Sequence, residues 1–238
     1  MRFKYGRFLK YVYGHLCCHA DAVHAAKPTP AEAGGDLQRS KMWDIYTGDI
    51  VSGVAASGCT AIIAAQSRLS ADLNRGPEHK APCQEEALRE YRAVIRRNLE
   101  RVGAVGQHGQ LARPYLHLGV HGISDQRWGE QAVEVGARQG CREKTSSEDV
   151  FRWFLQSLKS KLQQAVPGAK IISNKRFIGD PSLAYHRCGC PGYPNYPGYG
   201  SNYNAVQLEI SYTLRYAYRE ELTAVLSELV QEFHDSFR

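Results

Sequence analysis

The chain has 238 residues, 43% of them hydrophobic, which is enough to bury a sizeable core. The net charge of +6 is modest and dispersed, and no apolar run approaches the ~18 residues needed to cross a bilayer. Both argue against a membrane span and a nucleic-acid groove, and seven cysteines in no repeating frame argue against a disulfide scaffold.

In chain order, residues 1–22 form a poorly defined basic and aromatic segment. Arg7, Lys10 and His15 interrupt any signal-peptide core, so the expected location is cytoplasmic. Residues 15–40 mix Cys, His, Ala, Pro and Gly without a period and read as irregular. Helical spacing follows over 41–57, then a strand over 60–65. A helix over 84–102 buries Leu88, Tyr91, Ile95 and Leu99; Arg89, Arg92, Arg96, Arg97 and Arg101 form its solvated face. A strand over 115–121 precedes a helix over 147–165, whose Ser146 and Asp149 have capping-box-like spacing. Strands over 170–173 and 205–212 and a helix over 217–235 complete the pattern. Short apolar strands separated by long helices predict one α/β domain, a sandwich with a mixed, mostly parallel central sheet. The Gly/Pro/Tyr segment 186–204 reads as a lid, because loops of that length inside a compact domain carry function.

Three short stretches carry chemistry. In Ser67-Arg68-Leu69-Ser70-Ala71-Asp72-Leu73-Asn74-Arg75, a guanidinium beside an amide suits bidentate capture of a carboxylate, although a surface turn with an ion pair has the same composition. His121 ends the run Leu118-Gly119-Val120 and precedes Gly122, a strand-end position where open α/β sheets collect ligands. His117, on the same face, reads as structural. Glu209 sits among Val206, Leu208 and Ile210, where a carboxylate is costly unless it meets a cation, a metal or a proton. A salt bridge to Arg215 would satisfy it, and so would work as a general base on water beside a metal. Catalytic zinc asks for about three His or carboxylate ligands; His24, His121 and either Glu32 or Asp44 could supply them. The set His15, Cys17, Cys18 and His19 lacks the paired spacing of a structural zinc site. Cys188 and Cys190, one residue apart, are too close for a strain-free disulfide.

Asp72-Leu73-Asn74-Arg75, Val120-His121-Gly122 and Gln207-Leu208-Glu209-Ile210-Ser211, with Leu214-Arg215 just after, resemble the N-formylglutamate amidohydrolase family, which is related to the zinc carboxypeptidases and includes poly-γ-glutamate hydrolases. Asp44-Ile45-Tyr46-Thr47 resembles its Asp-x-x-Thr element, Gln38-Arg39 fits the basic position before it, and Tyr199-Gly200 with Asn202 resembles its glycine-rich approach to the last strand. The resemblance implies a three-layer, zinc-carboxypeptidase-like α/β sandwich with one Zn2+. The activity it implies is hydrolysis of an amide in an N-acyl or γ-linked acidic amino acid or short peptide. Carried over, the zinc ligands are His24, Asp44 and His121, with Glu32 the alternative to Asp44. Glu209 is the base, and Arg68 is a cation near the scissile carbonyl. Asn74 and Arg75 clamp the substrate carboxylate, with Tyr199 beside it. One departure stands out: the family's Pro-His-Gly-Gly is here Val23-His24-Ala25-Ala26. That keeps a second expectation open, a catalytically silent module that binds acidic peptides on the same fold.

Overall fold

The computed structural model describes residues 2–139, 141 and 143–237. Its strands are β1 Lys4–Tyr5, β2 Leu9–Val12, β3 Cys18–Ala22, β4 Thr60–Ala64, β5 Tyr115–Ile123, β6 Ala132–Gly136, β7 Lys170–Ser173 and β8 Tyr203–Ser211. The α-helices are α1 Pro30–Ala33, α2 Thr47–Val54, α3 Gln84–Arg101, α4 Glu148–Ala165, α5 Pro181–Cys188, α6 Tyr212–Ala217 and α7 Arg219–Ser236. The strands form one sheet in the order β1-β2-β4-β3-β5-β8-β6-β7. Its centre, β4-β3-β5-β8, is parallel, as is the pair β6 and β7. The pairings β1 with β2, β2 with β4, and β6 with β8 are antiparallel. The sheet is therefore mixed and mostly parallel, as expected.

Alternation along the strands divides the interior into two cores. Leu116, Leu118 and Val120 of β5 and Val206, Leu208 and Ile210 of β8 face α2, α4 and α7, meeting Ile50, Phe154, Leu158, Leu226 and Phe233. On the other face, Tyr115, Tyr203, Ala205 and Ile62 meet Leu88, Tyr91, Ile95 and Leu99 of α3 and Leu183 of α5. Helices over both faces make this an α/β sandwich of three layers. The α3 side of the central strands is not uniformly apolar. His19, Asp21, His117, His121, Gln207 and Glu209 lie buried there, each costly unless hydrogen-bonded. That is why the site sits on this face.

The N-terminal expectation is corrected. Residues 1–22 hold three strands, and β3 lies at the centre of the sheet inside the segment that reads as irregular. Cys-His-Ala-Asp-Ala alternates but lacks the β-branched and large apolar residues of an ordinary strand; its polar side chains are buried because they bond to His117, Tyr91 and Tyr115. β6 escaped for a related reason. Its central Glu134 is fully buried and accepts the N–H groups of Lys175, Arg176 and Phe177 and the indole N–H of Trp128. The helix over 41–57 shrinks to α2, preceded by a 3-10 turn at Arg39–Lys41, and Tyr46 enters α2 with φ 70°. α4 is capped by Ser147, whose side chain accepts the Val150 N–H. Cys188, exposed, and Cys190, buried, are free thiols. Among the described residues no helix is long and apolar enough to cross a membrane.

Phe154 is fully buried on the face away from the polar side chains. Phe154→Ala should cost about 3–5 kcal/mol in urea unfolding and leave metal binding by the folded protein unchanged.

Candidate metal centre

β3, β5 and β8 run parallel and end together, the edge of an α/β sheet where ligands bind. His24 lies two residues beyond β3, His121 near the end of β5, and Asp44 in the turn before α2. Their ligand atoms form a triangle. His24 Nδ1 is 3.2 Å from His121 Nδ1, and Asp44 Oδ2 is 3.4 Å from each of those nitrogens. A tetrahedral ion with bonds of about 2.0–2.1 Å has ligand atoms about 3.3–3.4 Å apart. The triangle has the size of one face of such a tetrahedron, so the donor set and spacing fit zinc.

The tautomer fits as well. His24 Nε2 is 2.8 Å from Asp72 Oδ1; a carboxylate accepts, so the proton sits on Nε2 and the lone pair on Nδ1 faces the triangle. Asp72 is itself gripped, its Oδ2 receiving Arg68 Nε at 3.2 Å and Nη2 at 2.7 Å. Its main-chain N–H and C=O bond the Gln84 amide. Burial pushes the Asp72 carboxyl up, but the hydrogen bond from His24 Nε2 and the charge of Arg68 outweigh it and hold it well below the usual range. Asp44 behaves likewise: burial opposes its charge, and the hydrogen bond and charge of His121 hold it far below the ordinary value. For His121, burial works against protonation, yet the Asp44 hydrogen bond and the Glu209 and Asp44 charges raise it.

Glu209 stands beside His121. The two are register partners on adjacent parallel strands and point to the same face. Burial raises the Glu209 carboxyl above its usual range, although the charge of His121 and the Gln207 hydrogen bond pull the other way. Glu209 Oε1 accepts Gln207 Nε2 at 2.7 Å.

Arg215 holds the frame together. Its Nε donates to Ile210 O at 2.9 Å and Nη2 to Ile123 O at 3.3 Å, while Nη1 donates to Ile45 O next to Asp44. The guanidinium lies over Gly122, where a Cβ would come 2.5 Å from Arg215 Cζ. The glycine after His121 is therefore required by a close approach. Asp72 and Arg215 are positioning groups: sequence reading gives Asp72 no role of its own and weighs Arg215 as a salt-bridge partner of Glu209, whereas its guanidinium donates to the carbonyls of Ile210, Ile45 and Ile123.

Not every expected site residue joins this group. Arg68 lines a cleft of about 610 Å3 together with Lys41, Trp43, Asp44, Gly122, Tyr212 and Arg215, while its guanidinium is on Asp72. Glu32 lies outside the triangle: it accepts Ser67 Oγ and Ser70 Oγ at 2.7 Å each and closes the capping box of α1. Burial opposes its charge, but the Ser70 and Ser67 hydrogen bonds bring its carboxyl down to about 2. Asn74 is buried, its N–H donating to Asp72 Oδ1 at 3.0 Å. Arg75 is paired with Asp180. Tyr199 stacks on Tyr203 with ring centroids 5.5 Å apart, at the start of β8, and six residues of strand, about 20 Å, separate Tyr203 from Glu209. The lid expectation is thereby corrected. Residues 186–188 close α5, and the loop beyond packs on α3, where Arg92 donates to Pro197 O and covers the Tyr196 ring.

A second cluster, His19, Asp21 and His117, is also close enough to hold an ion, but its donors are already engaged. His117 Nε2 meets Asp21 Oδ2 at 2.7 Å, and Tyr203 Oη meets His117 Nδ1 at 3.1 Å. Asn98 donates to Tyr115 Oη at 2.6 Å, so the Tyr115 hydroxyl donates to His19 Nδ1 at 2.9 Å. Within this cluster only His19 Nε2 is left over. An ion there would have to displace several hydrogen bonds to other residues; at the first triangle it would replace only the contacts that His24, Asp44 and His121 make with one another.

No protein-family model matches this sequence, and no curated protein matches it closely enough to count as a relative. Solved structures do match. N-formylglutamate amidohydrolase from Ralstonia eutropha JMP134 aligns at TM-score 0.61 and 16% identity over 94% of this chain and 97% of that one. The chain shares that enzyme's fold. A gene product of Agrobacterium tumefaciens aligns at 0.62 and 13% identity over 95% and 93%, and a bacteriophage poly-γ-glutamate hydrolase at 0.49 and 15% over 98% and 92%. The N-formylglutamate amidohydrolase fold thus agrees with the architecture implied by the sequence resemblance, and it brings His24, Asp44 and His121 together from segments up to 97 residues apart.

Two expectations follow from the geometry. Gly122→Ala should displace Arg215, lowering stability by about 1–3 kcal/mol and weakening zinc binding, as read by denaturant unfolding and a chelator competition. Zinc affinity should also fall on acidification, starting above the pH at which an ordinary imidazole protonates. His121 has a raised value and must lose its proton to accept an ion. Calorimetry in buffers of different ionisation enthalpy would count the released protons, and affinity that stays flat down to the ordinary histidine range would contradict the assignment.

Proposed function

We propose that this protein is a zinc-dependent amidohydrolase that cleaves the amide bond of an N-acyl or γ-linked acidic amino acid or short peptide. The observation that carries this reading is the triangle of His24 Nδ1, His121 Nδ1 and Asp44 Oδ2, with Glu209 alongside. Those three residues would hold the ion, which when bound supplies Lewis acidity toward a carbonyl oxygen and makes nearby water more acidic. The shared fold supports the reaction class.

The chain's own groups then have separate tasks. Glu209 takes a proton from the attacking water and returns it to the departing amine. Its burial keeps the carboxyl above the usual range, so it is a stronger base than an exposed glutamate. Arg68 and Arg215 bring positive charge to the cleft that Asp44 opens into, which favours an anionic substrate. Asn74 and Arg75 are assigned to the substrate carboxylate. Arg75 is 43% exposed at its side chain and holds the Asp180 carboxylate, so binding there exchanges one carboxylate for another. The partner is accordingly a small molecule or short peptide bearing a carboxylate.

Glu209→Gln should reduce turnover by about 10²-fold or more while zinc per chain, measured by plasma mass spectrometry, stays unchanged. Retained turnover would remove Glu209 from the reaction. Arg75→Ala should raise KM for carboxylate-bearing amides far more than for neutral ones. Purified protein without near-stoichiometric zinc would favour the silent binding module instead.

A further inference from the structure

Two residues before Glu209 on the same face of β8, Gln207 is buried and bonded at both ends of its side-chain amide. Oε1 accepts the main-chain N–H of Asp180 at 2.8 Å, and Nε2 donates to Glu209 Oε1 at 2.7 Å. A main-chain N–H can only donate, so it must face the amide oxygen, and this turns the NH2 toward Glu209. Glu209 therefore keeps one oxygen occupied, while Oε2 has no hydrogen bond among the described residues.

The N–H that sets this orientation is held in place. Glu134, register partner of Glu209 on β6, accepts the N–H groups of Lys175 at 2.9 Å, Arg176 at 2.6 Å and Phe177 at 2.9 Å. That anchors the chain leading to Asp180. Asp180 Oδ1 caps α5 through the Ser182 N–H at 3.1 Å, and its Oδ2 pairs with Arg75. The backbone at 180 is thus fixed from both sides.

We propose that Gln207 is the positioning residue of Glu209: oriented by the Asp180 N–H, it holds Oε1 so that Oε2 faces the reacting water. This rests on the reading of Glu209 as the base. Gln207→Leu removes both hydrogen bonds. Gln207→Met keeps the length of the side chain but has no amide to donate to Glu209. Both variants should lose about tenfold or more in kcat, with KM, zinc per chain and Tm close to wild type. In a Glu209→Gln background, Gln207→Leu should cause no further loss, because the two act as a unit. Wild-type kcat in Gln207→Met, with Glu209→Gln inactive, would overturn the inference alone, because the amide would then not be needed to hold Glu209. Loss of zinc in step with kcat in both variants would overturn it too, since the amide would then support the metal site at large. Undiminished turnover in Glu209→Gln would remove the underlying reading of the base and this inference with it.

Discussion

His24 has two ring nitrogens, and the structure spends one of them on Asp72. That 2.8 Å hydrogen bond decides which nitrogen carries the proton, where the lone pair points, and what the Asp-Leu-Asn-Arg turn is for. An imidazole free to rotate or change tautomer would present a proton to an ion half the time; one locked by a carboxylate presents a lone pair. Arg68 extends the lock by one step, since its fork on Asp72 keeps that carboxylate ionised and therefore an acceptor. The motif that looks like a substrate clamp in the sequence is, at Arg68 and Asp72, first a device for aiming His24. Only its last residue, Arg75, is left with an exposed guanidinium.

The same logic separates the two polar clusters on the α3 side of the sheet. Both gather two histidines and an aspartate. In the inner one, donors and acceptors close on each other through Tyr91, Tyr115, Tyr203 and Asn98, and the rings of His19 and His117 stack at 4.0 Å. Burial and the neighbouring His117 and His186 lower His19 well below the usual imidazole range, so His19 sits in this layer as a neutral ring with Nε2 left over. The remaining hydrogen bonds tie β3, β5, β8 and α3 together beneath the triangle. In the outer cluster the ligand atoms of His24, Asp44 and His121 meet chiefly one another. Its electrostatics call for a cation.

How much of this could be read from the sequence depended on whether a residue's surroundings were local. α3, α4 and β7 came out within a residue or so of their observed limits, because their apolar periods are set by one packed face. His121 and Glu209 were legible as polar residues inside apolar strands. β3 was not: Cys-His-Ala-Asp-Ala becomes a strand through partners on α3, β5 and β8 that are distant in sequence. The sequence favoured Asp44 only through the motif around it and left Glu32 as the alternative; the fold shows Glu32 engaged by Ser67 and Ser70. Tyr199 and the 186–204 loop lead into the Glu209 strand, but at the far end of it. A strand of nine residues puts its ends about 30 Å apart, and adjacency in sequence said nothing of that.

The departure at Val23-His24-Ala25-Ala26 also has a physical reading. Two glycines after a ligand histidine leave room for close approach, and losing them would crowd the site unless space appeared elsewhere. It appears on α2. Gly48, in the first turn, lies so close to this segment that a Cβ there would come 3.2 Å from Ala25 Cβ and 3.4 Å from Ile63 Cγ2. Small size has been kept at the contact, on the opposite partner. Asp44, which begins the turn into α2, also receives its main-chain restraint from this strand end, its N–H donating to His24 O at 2.8 Å. The contact that tolerates Ala25 is thus part of the one that brings Asp44 to His24, and the altered motif is compatible with an intact ligand triangle because Gly48 leaves room for Ala25.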